Sequence, residues 1–109
     1  MNSGVELKIT FRFSELSEKQ AATLKDSIPE SEFGTHFKTK KITGTVPLSE
    51  SKVFAISVFM EENNISKETT DIFISFVSEY DSRIIDVPKY VNDAVLRIDS
   101  KLTLSYTIV

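Results

Sequence analysis

The sequence predicts an α+β fold, a single two-layer domain in which helices pack mainly on one face of a sheet of about four to five strands. Two segments of regular apolar–polar alternation, one near each end of the chain, predict strands. An amphipathic segment directly before the second of them predicts a helix. The length of 109 residues matches one domain, so residues 1–109 are expected to share one core. The expected order of elements is β-α-β-α-β-α-β.

The first strand is predicted over residues 5–13. Every second side chain in this segment is apolar, and those between are polar. Because successive side chains of a strand point to opposite faces, the pattern predicts one face in the core and one face in water. The apolar members are Val5, Leu7, Ile9, Phe11 and Phe13.

The first helix is predicted to begin after Ser17 and to end before Pro29. Ser17 is a favourable N-cap, and Gln20 has the spacing of a capping box, in which each side chain bonds the other residue's backbone N–H. Proline disfavours helical geometry in the residue before it, which sets the end.

A threonine-rich stretch over 33–46 predicts either one long strand or a hairpin, broken near Gly44. Lys38, Lys40 and Lys41 are interpreted as solvated side chains of an edge strand. Lysines in such a place discourage aggregation between sheets.

Two segments in the middle fit more than one periodicity. Residues 50–63 are predicted to be a helix, with Ser49 or Ser51 as its N-cap, although the almost continuous apolar run within them also suits a buried strand. Residues 71–80 fit both periods as well. Their β-branched and aromatic content favours a central strand.

The last quarter predicts a helix followed by a strand. Pro88 suits the first helical position, and Asp86 suits a cap or a favourable charge at the helix N-terminus. The apolar stripe of this helix consists of Tyr90, Val91, Ala94, Val95 and Ile98. The last strand alternates, with the apolar residues Leu102, Leu104, Tyr106 and Ile108.

The composition offers little material for catalysis. The chain has no cysteine, one histidine and three glycines. A general base needs a positioned partner and a zinc site needs several ligands, so His36 is interpreted as a packed or exposed side chain. Three glycines can hardly build a glycine-rich phosphate loop. We therefore expect no enzyme, with no catalytic residues, no metal and no cofactor.

The charge is unevenly distributed along the chain. Residues 1–48 carry seven basic and six acidic side chains, a net of +1, whereas residues 49–109 carry six basic and ten acidic ones, a net of −4. An acidic half disfavours nucleic acid, because phosphate binding needs clustered Lys and Arg, and is compatible with a basic protein partner. No apolar stretch reaches the roughly 20 residues that span a bilayer. We expect no membrane association and a cytoplasmic protein.

The candidate partner-binding residues are acidic and aromatic side chains of the second half. Carboxylates there would meet Lys and Arg of a partner, and exposed tyrosines would be anchors. The alternatives are a small metal-dependent hydrolase or nuclease that uses surface carboxylates, and a homo-oligomeric structural subunit that pairs through a sheet edge. The candidates are Glu61, Glu62, Glu79, Tyr80, Asp81, Asp86, Tyr90 and Asp93.

In residues 71–109, a strand, an acidic loop, a helix started by Pro88 and a terminal Leu-x-Leu-x-Tyr strand follow one another. In size and layout this resembles the immunity proteins of bacterial toxin systems, such as those of contact-dependent growth inhibition. The resemblance implies a rigid, non-enzymatic domain that binds a cognate toxin, often a basic nuclease, and blocks its active site or an essential surface. It is a resemblance of layout and assigns no role to an individual residue.

Overall fold

The structure is a computed structural model that describes residues 5–78 and 87–108, and the side chains of 7–76 and 87–105. Within these ranges the chain forms a mixed sheet of five strands and three α-helices, which confirms the predicted α+β fold. A short 3-10 helix, Lys67–Thr69, precedes the fourth strand. In chain order the elements are β1 (Val5–Leu16), α1 (Glu18–Ser27), β2 (Glu32–Thr35), β3 (Ile42–Pro47), α2 (Glu50–Glu62), β4 (Thr70–Ser78), α3 (Lys89–Ile98) and β5 (Lys101–Ile108).

β1 lies at the centre of the sheet, whose strand order is β2-β3-β1-β4-β5. It pairs antiparallel with β3 on one side and with β4 on the other. β5 runs parallel to β4, and α3 lies in the connection between them, because parallel neighbours need a crossover. The two edges of the sheet are therefore β2 and β5.

Burial along β1 alternates as predicted from residue 8 to residue 14, but Leu7, on the predicted core face, is 36% exposed. Ile9, Phe11 and Phe13 are buried, while the polar residues between them stay partly or fully exposed. The ring of Phe13 packs edge-on against Phe59 of α2, with the ring centroids 5.6 Å apart. Buried residues of all three helices join the same cluster. The helices therefore cover one face of the sheet, and the polar side chains of β1 point to the other, open face.

The predicted helix boundaries follow local capping chemistry. Ser17 Oγ accepts a hydrogen bond from the Gln20 N–H at 3.0 Å, and Gln20 Oε1 accepts one from the Ser17 N–H at 2.9 Å, which confirms the capping box. The helix predicted over 50–63 is confirmed as α2. Ser49 is its N-cap residue, without a side-chain hydrogen bond to the helix, and Asn63 ends it.

The stretch 33–46 folds as the β2–β3 hairpin, so two strands stand where the predicted order has one. The predicted break near Gly44 is wrong, because the turn lies at 36–41 and Gly44 pairs with Phe33 inside the hairpin. The turn is closed by the His36 N–H, which donates to the Lys41 carbonyl at 2.9 Å, and by the Lys40 N–H, which donates to the His36 carbonyl at 2.8 Å. Lys38, Lys40 and Lys41 are exposed as expected. Their predicted position on an edge strand is wrong, because β2 ends before the turn that carries them.

Two further predictions need adjustment at their ends. The strand predicted over 71–80 is confirmed as β4, which begins one residue earlier; residues 79 and 80 lie outside the described part of the chain. Pro88 is the N-cap residue of α3 and not its first helical residue. Asp86 lies outside the described residues.

The last strand is confirmed, but its apolar side chains are less buried than its alternation implies. The parallel register places Leu102 beside Ile72 and Leu104 beside Ile74, so these leucines share the helix face of the sheet. Both isoleucines are fully buried, whereas Leu102 is 47% and Leu104 is 59% exposed. The helix layer therefore stops short of β5.

Because Gly44 has no side chain, two buried leucines can pack closely against the backbone of β3 at this position. A Cβ at this position would lie 2.9 Å from Leu16 Cδ1 and 3.4 Å from Leu24 Cδ2, and both leucines are buried. We expect Gly44→Ala to lower the free energy of unfolding by about 1 kcal/mol, because the leucines must shift in a packed core. Urea denaturation measures this. Gly34→Ala in exposed β2 is the control, and an equal loss in both variants would contradict the explanation by packing.

Candidate functional site

A surface groove with a volume of about 540 Å³ runs between α2 and α3. Its floor includes Val53, which is buried and belongs to the core. The side chains along its walls come from both helices. They are Glu50, Phe54, Tyr90, Asp93, Leu96 and Arg97.

Two large apolar side chains stand exposed at this groove. Leu96 is 83% exposed, more than any other large apolar residue that the structure describes, and Phe54 is 64% exposed. A single exposed leucine is ordinary on a protein surface. Two such residues on neighbouring helices at one concave place form an apolar patch, and patches with a polar border are typical of interaction sites.

The border of the groove is charged. Glu50 lies in the first turn of α2, and Asp93 lies in the middle of α3; both are exposed. Arg97 is the one cation among the lining residues, and its guanidinium carbon lies 5.7 Å from the centre of the Phe54 ring. This distance is within the range of a cation–π contact. The groove thus combines two carboxylates with an aromatic ring that already has a cation beside it.

Helical geometry explains why Phe54 and Leu96 are exposed. The buried residues of α2 are Val53, Ile56, Phe59 and Met60, and those of α3 are Val91, Ala94 and Ile98. Successive residues of a helix are about 100° apart around its axis. Phe54 and Leu96 fall beside these buried stripes and not within them. The core therefore does not need them.

The structure brings together two of the predicted site residues. Tyr90 and Asp93 both line the groove; Tyr90 is half-buried and packs against the core, and Asp93 is exposed. Glu61 and Glu62 are exposed but lie in the last turn of α2 and do not line the groove. The remaining predicted residues lie outside the described part of the chain: Glu79, Tyr80, Asp81 and Asp86.

The sequence reasoning missed Glu50, Phe54, Leu96 and Arg97. A signal for the two apolar ones was present, because each is an apolar residue outside the helical stripe of its own segment. In α2 the almost continuous apolar run from 53 to 60 hid this signal. In α3 the stripe is clear, and Leu96 is an apolar residue outside it.

A second polar cluster lies on the open face of the sheet and joins three strands. Arg12 of β1 donates to both carboxylate oxygens of Asp71 of β4, with Nε–Oδ1 at 2.7 Å and Nη2–Oδ2 at 2.5 Å. The Thr103 hydroxyl of β5 donates to Oδ2 at 2.7 Å. The guanidinium carbon of Arg12 also lies 4.1 Å from the centre of the Phe73 ring.

The electrostatics of this cluster favour a structural role. Burial alone would raise the pKa of the Asp71 carboxyl. Hydrogen bonds from Arg12 and Thr103, with the positive charges of Arg12 and Lys101, outweigh burial and hold the pKa of Asp71 below its ordinary value. A carboxylate held in the ionised form by neighbouring strands ties those strands together. We therefore assign the cluster to stability.

Little in the described residues points to metal or acid–base chemistry. No group of three or more His, Cys, Asp or Glu side chains there is placed to hold a metal ion. His36 lies exposed in the β2–β3 turn, where its Nδ1 accepts hydrogen bonds from the backbone N–H groups of Lys38 at 3.2 Å and Thr39 at 3.3 Å. Its ring stacks on Phe37. This histidine stabilises the turn.

None of the helices in the described ranges is both long and apolar enough to cross a membrane. Comparison of the chain with protein-family models, with curated proteins and with solved structures finds no match.

Proposed function

We propose that this chain is a non-enzymatic protein-binding module that contacts its partner through the groove between α2 and α3. The observation that carries the proposal is the pair of exposed side chains, Phe54 and Leu96, in one concave place. Affinity at protein interfaces comes mostly from a few large anchors that become fully desolvated, surrounded by a polar border. This groove has both parts.

The charge of the groove sets the chemistry of the partner. Glu50 and Asp93 favour a surface that presents Lys or Arg next to an apolar side chain. Opposite charges at the border accelerate encounter and fix the register of the two surfaces. The guanidinium of Arg97 beside Phe54 must move aside, or share the ring with a partner group, when the ring is covered.

The more specific form of the proposal is an immunity protein that neutralises a bacterial toxin by direct binding. The layout of residues 71–109 and the net charge of −3 support it, because a toxin that acts on nucleic acid exposes a basic surface. Neutralisation requires only that the partner's working surface be covered. A cytoplasmic location belongs to this form of the proposal.

Site-specific photo-crosslinking in the source cells tests the proposal. The photoreactive residue p-benzoylphenylalanine replaces Phe54 in one variant and Phe37 in a control, since Phe37 is a phenylalanine of similar exposure, 75%, in the β2–β3 turn. We expect one protein with a basic surface to be crosslinked from position 54 and not from position 37. Excess unmodified chain should compete with it, and excess Phe54→Ala/Leu96→Ala chain should not. The same crosslinked proteins from both positions would overturn the proposal.

A further inference from the structure

The outer edge of the sheet at β5 is long and partly apolar. β5 has eight residues and pairs only with β4 among the described strands. Within residues 5–78 and 87–108, no strand lies beside the backbone groups on its outer side. On the helix face of the same edge, Leu102 and Leu104 are about half exposed. Such an edge is a template for pairing with a further strand.

The opposite edge is built differently. β2 has four residues, begins with the exposed Glu32 and continues into the turn that carries Lys38, Lys40 and Lys41. Short length and charge are the usual means of preventing a strand from joining the edge. β5 is twice as long as β2, and its one charged residue, Lys101, lies at its first position, so the other seven residues of this edge carry no charge. Of the two edges, the β5 edge is therefore the better suited to pairing with a further strand.

We propose that two copies of this chain pair through β5, antiparallel, to form one continuous ten-stranded sheet. A two-fold axis perpendicular to the sheet keeps both helix layers on the same side. Directly opposite residues of an antiparallel pair share a face, so only registers that pair leucine-face residues with each other are compatible. Pairing Leu104 with Leu104 of the second copy meets this condition, and it places Thr103 opposite Ser105 on the open face.

The charges of the strand agree with this register. Lys101 of each copy lies opposite residue 107 of the other, six positions away from the second Lys101. At about 3.3 Å per residue the two ammonium groups are separated by roughly 20 Å along the strands. No like charges meet at the seam. The leucines that the helix layer leaves uncovered become the centre of the interface, which gives the pairing its hydrophobic stabilisation.

This inference does not depend on the function of the groove between α2 and α3, so the two fail separately. The groove is tested by crosslinking to another protein, and the β5 pairing is tested with the purified chain alone.

Single cysteines test both the pairing and its register, because the natural chain has no cysteine. In the proposed dimer the two copies of residue 104 are direct neighbours, within the distance that a disulfide spans, whereas the two copies of residue 102 are four positions apart. We expect Leu104→Cys to form a disulfide-linked dimer under mild oxidation and Leu102→Cys to do so at least tenfold more slowly. Thr35→Cys, on the β2 edge, is the control for random collisions.

Light scattering of the unmodified chain gives the second readout. We expect twice the mass of one chain at high micromolar concentration, and one chain for Leu104→Lys with an unchanged circular dichroism spectrum, because a lysine at the centre of the seam opposes its own copy. A monomer at all concentrations would overturn the proposal. So would equal crosslinking of the cysteines at 102, 104 and 35.

Discussion

Replacing Phe54 and Leu96 together by alanine is expected to weaken binding of the partner by about 100-fold, or roughly 2.7 kcal/mol. Both side chains are largely exposed in the free chain. Their burial against a partner removes apolar area from water that folding leaves exposed, so the loss is expected in binding and not in folding. Calorimetric titration with the partner identified by crosslinking measures the change.

The control for this prediction is Phe37→Ala, which removes an exposed phenylalanine from a part of the surface outside the groove. We expect its affinity to stay within a factor of about two of the unmodified chain. The unfolding midpoint of Phe54→Ala/Leu96→Ala should change little, because exposed substitutions have small effects on stability. An affinity loss equal to that of Phe37→Ala would show that the partner does not use the groove.

Asp71→Asn is expected to lower the free energy of unfolding by about 2 kcal/mol at pH 7, the largest stability effect predicted for a polar residue of this sheet. The carboxylate accepts two hydrogen bonds from Arg12 and one from Thr103. An amide has one acceptor oxygen and cannot replace all of them. Because Arg12 is partly exposed, water compensates it in part, which keeps the loss below that of a fully buried ion pair.

The same contacts predict how stability depends on pH. The pKa of Asp71 is lower in the folded chain than its ordinary value of about 3.9 in the unfolded chain. The stabilising contribution of this carboxylate is therefore complete above about pH 4 and is lost as the pH falls through the folded-state pKa. We expect the deficit of Asp71→Asn relative to the unmodified chain to be largest near neutral pH and to shrink below about pH 4.

Urea denaturation at pH 7 and at pH 3 measures both effects. Glu15→Gln is the matched control, since Glu15 pairs with Lys41 at an exposed place where an ion pair adds little. We expect little change for the control at either pH. A deficit of Asp71→Asn that stays constant between the two pH values would show that its loss does not come from ionisation.

Local patterns predicted most of the fold, because most helices and strands form where the periodicity and capping residues of their own segments favour them. The alternation of 5–13 and the capping box at Ser17 each depend on neighbours within a few positions, and both are confirmed. The hairpin within 33–46 was one of two open alternatives, because a long strand and two short ones share the same composition. The structure shows the hairpin, in which the backbone N–H and carbonyl of His36 form the hydrogen bonds that close the turn.

The site was less predictable because it depends on which apolar residues the core leaves out. Residue type and sequence position predict Tyr90 and Asp93, and both line the groove because α3 packs beside α2. Phe54 and Leu96 are residue types that are common in protein cores. Their exposure depends on how each helix is rotated about its own axis, which decides the side that faces the core. Leu102 and Leu104 also stay exposed, although their strand alternates regularly. Alternation predicts which face of the sheet a side chain lies on, but not whether a helix covers that part of the face.

The central claim is that the border and anchors of the groove between α2 and α3 determine partner binding, and the association rate constant tests it most directly. Glu50→Gln/Asp93→Asn removes the two carboxylates of the groove. Glu18→Gln/Asp26→Asn removes two carboxylates of α1 in the first turn and near the end of that helix, with the same change in net charge. At low salt we expect the first variant to associate about tenfold more slowly, with the difference shrinking at high salt, and the second to stay close to the unmodified chain. Equal slowing in both variants would contradict the claim, because it would show that the partner senses only the overall charge.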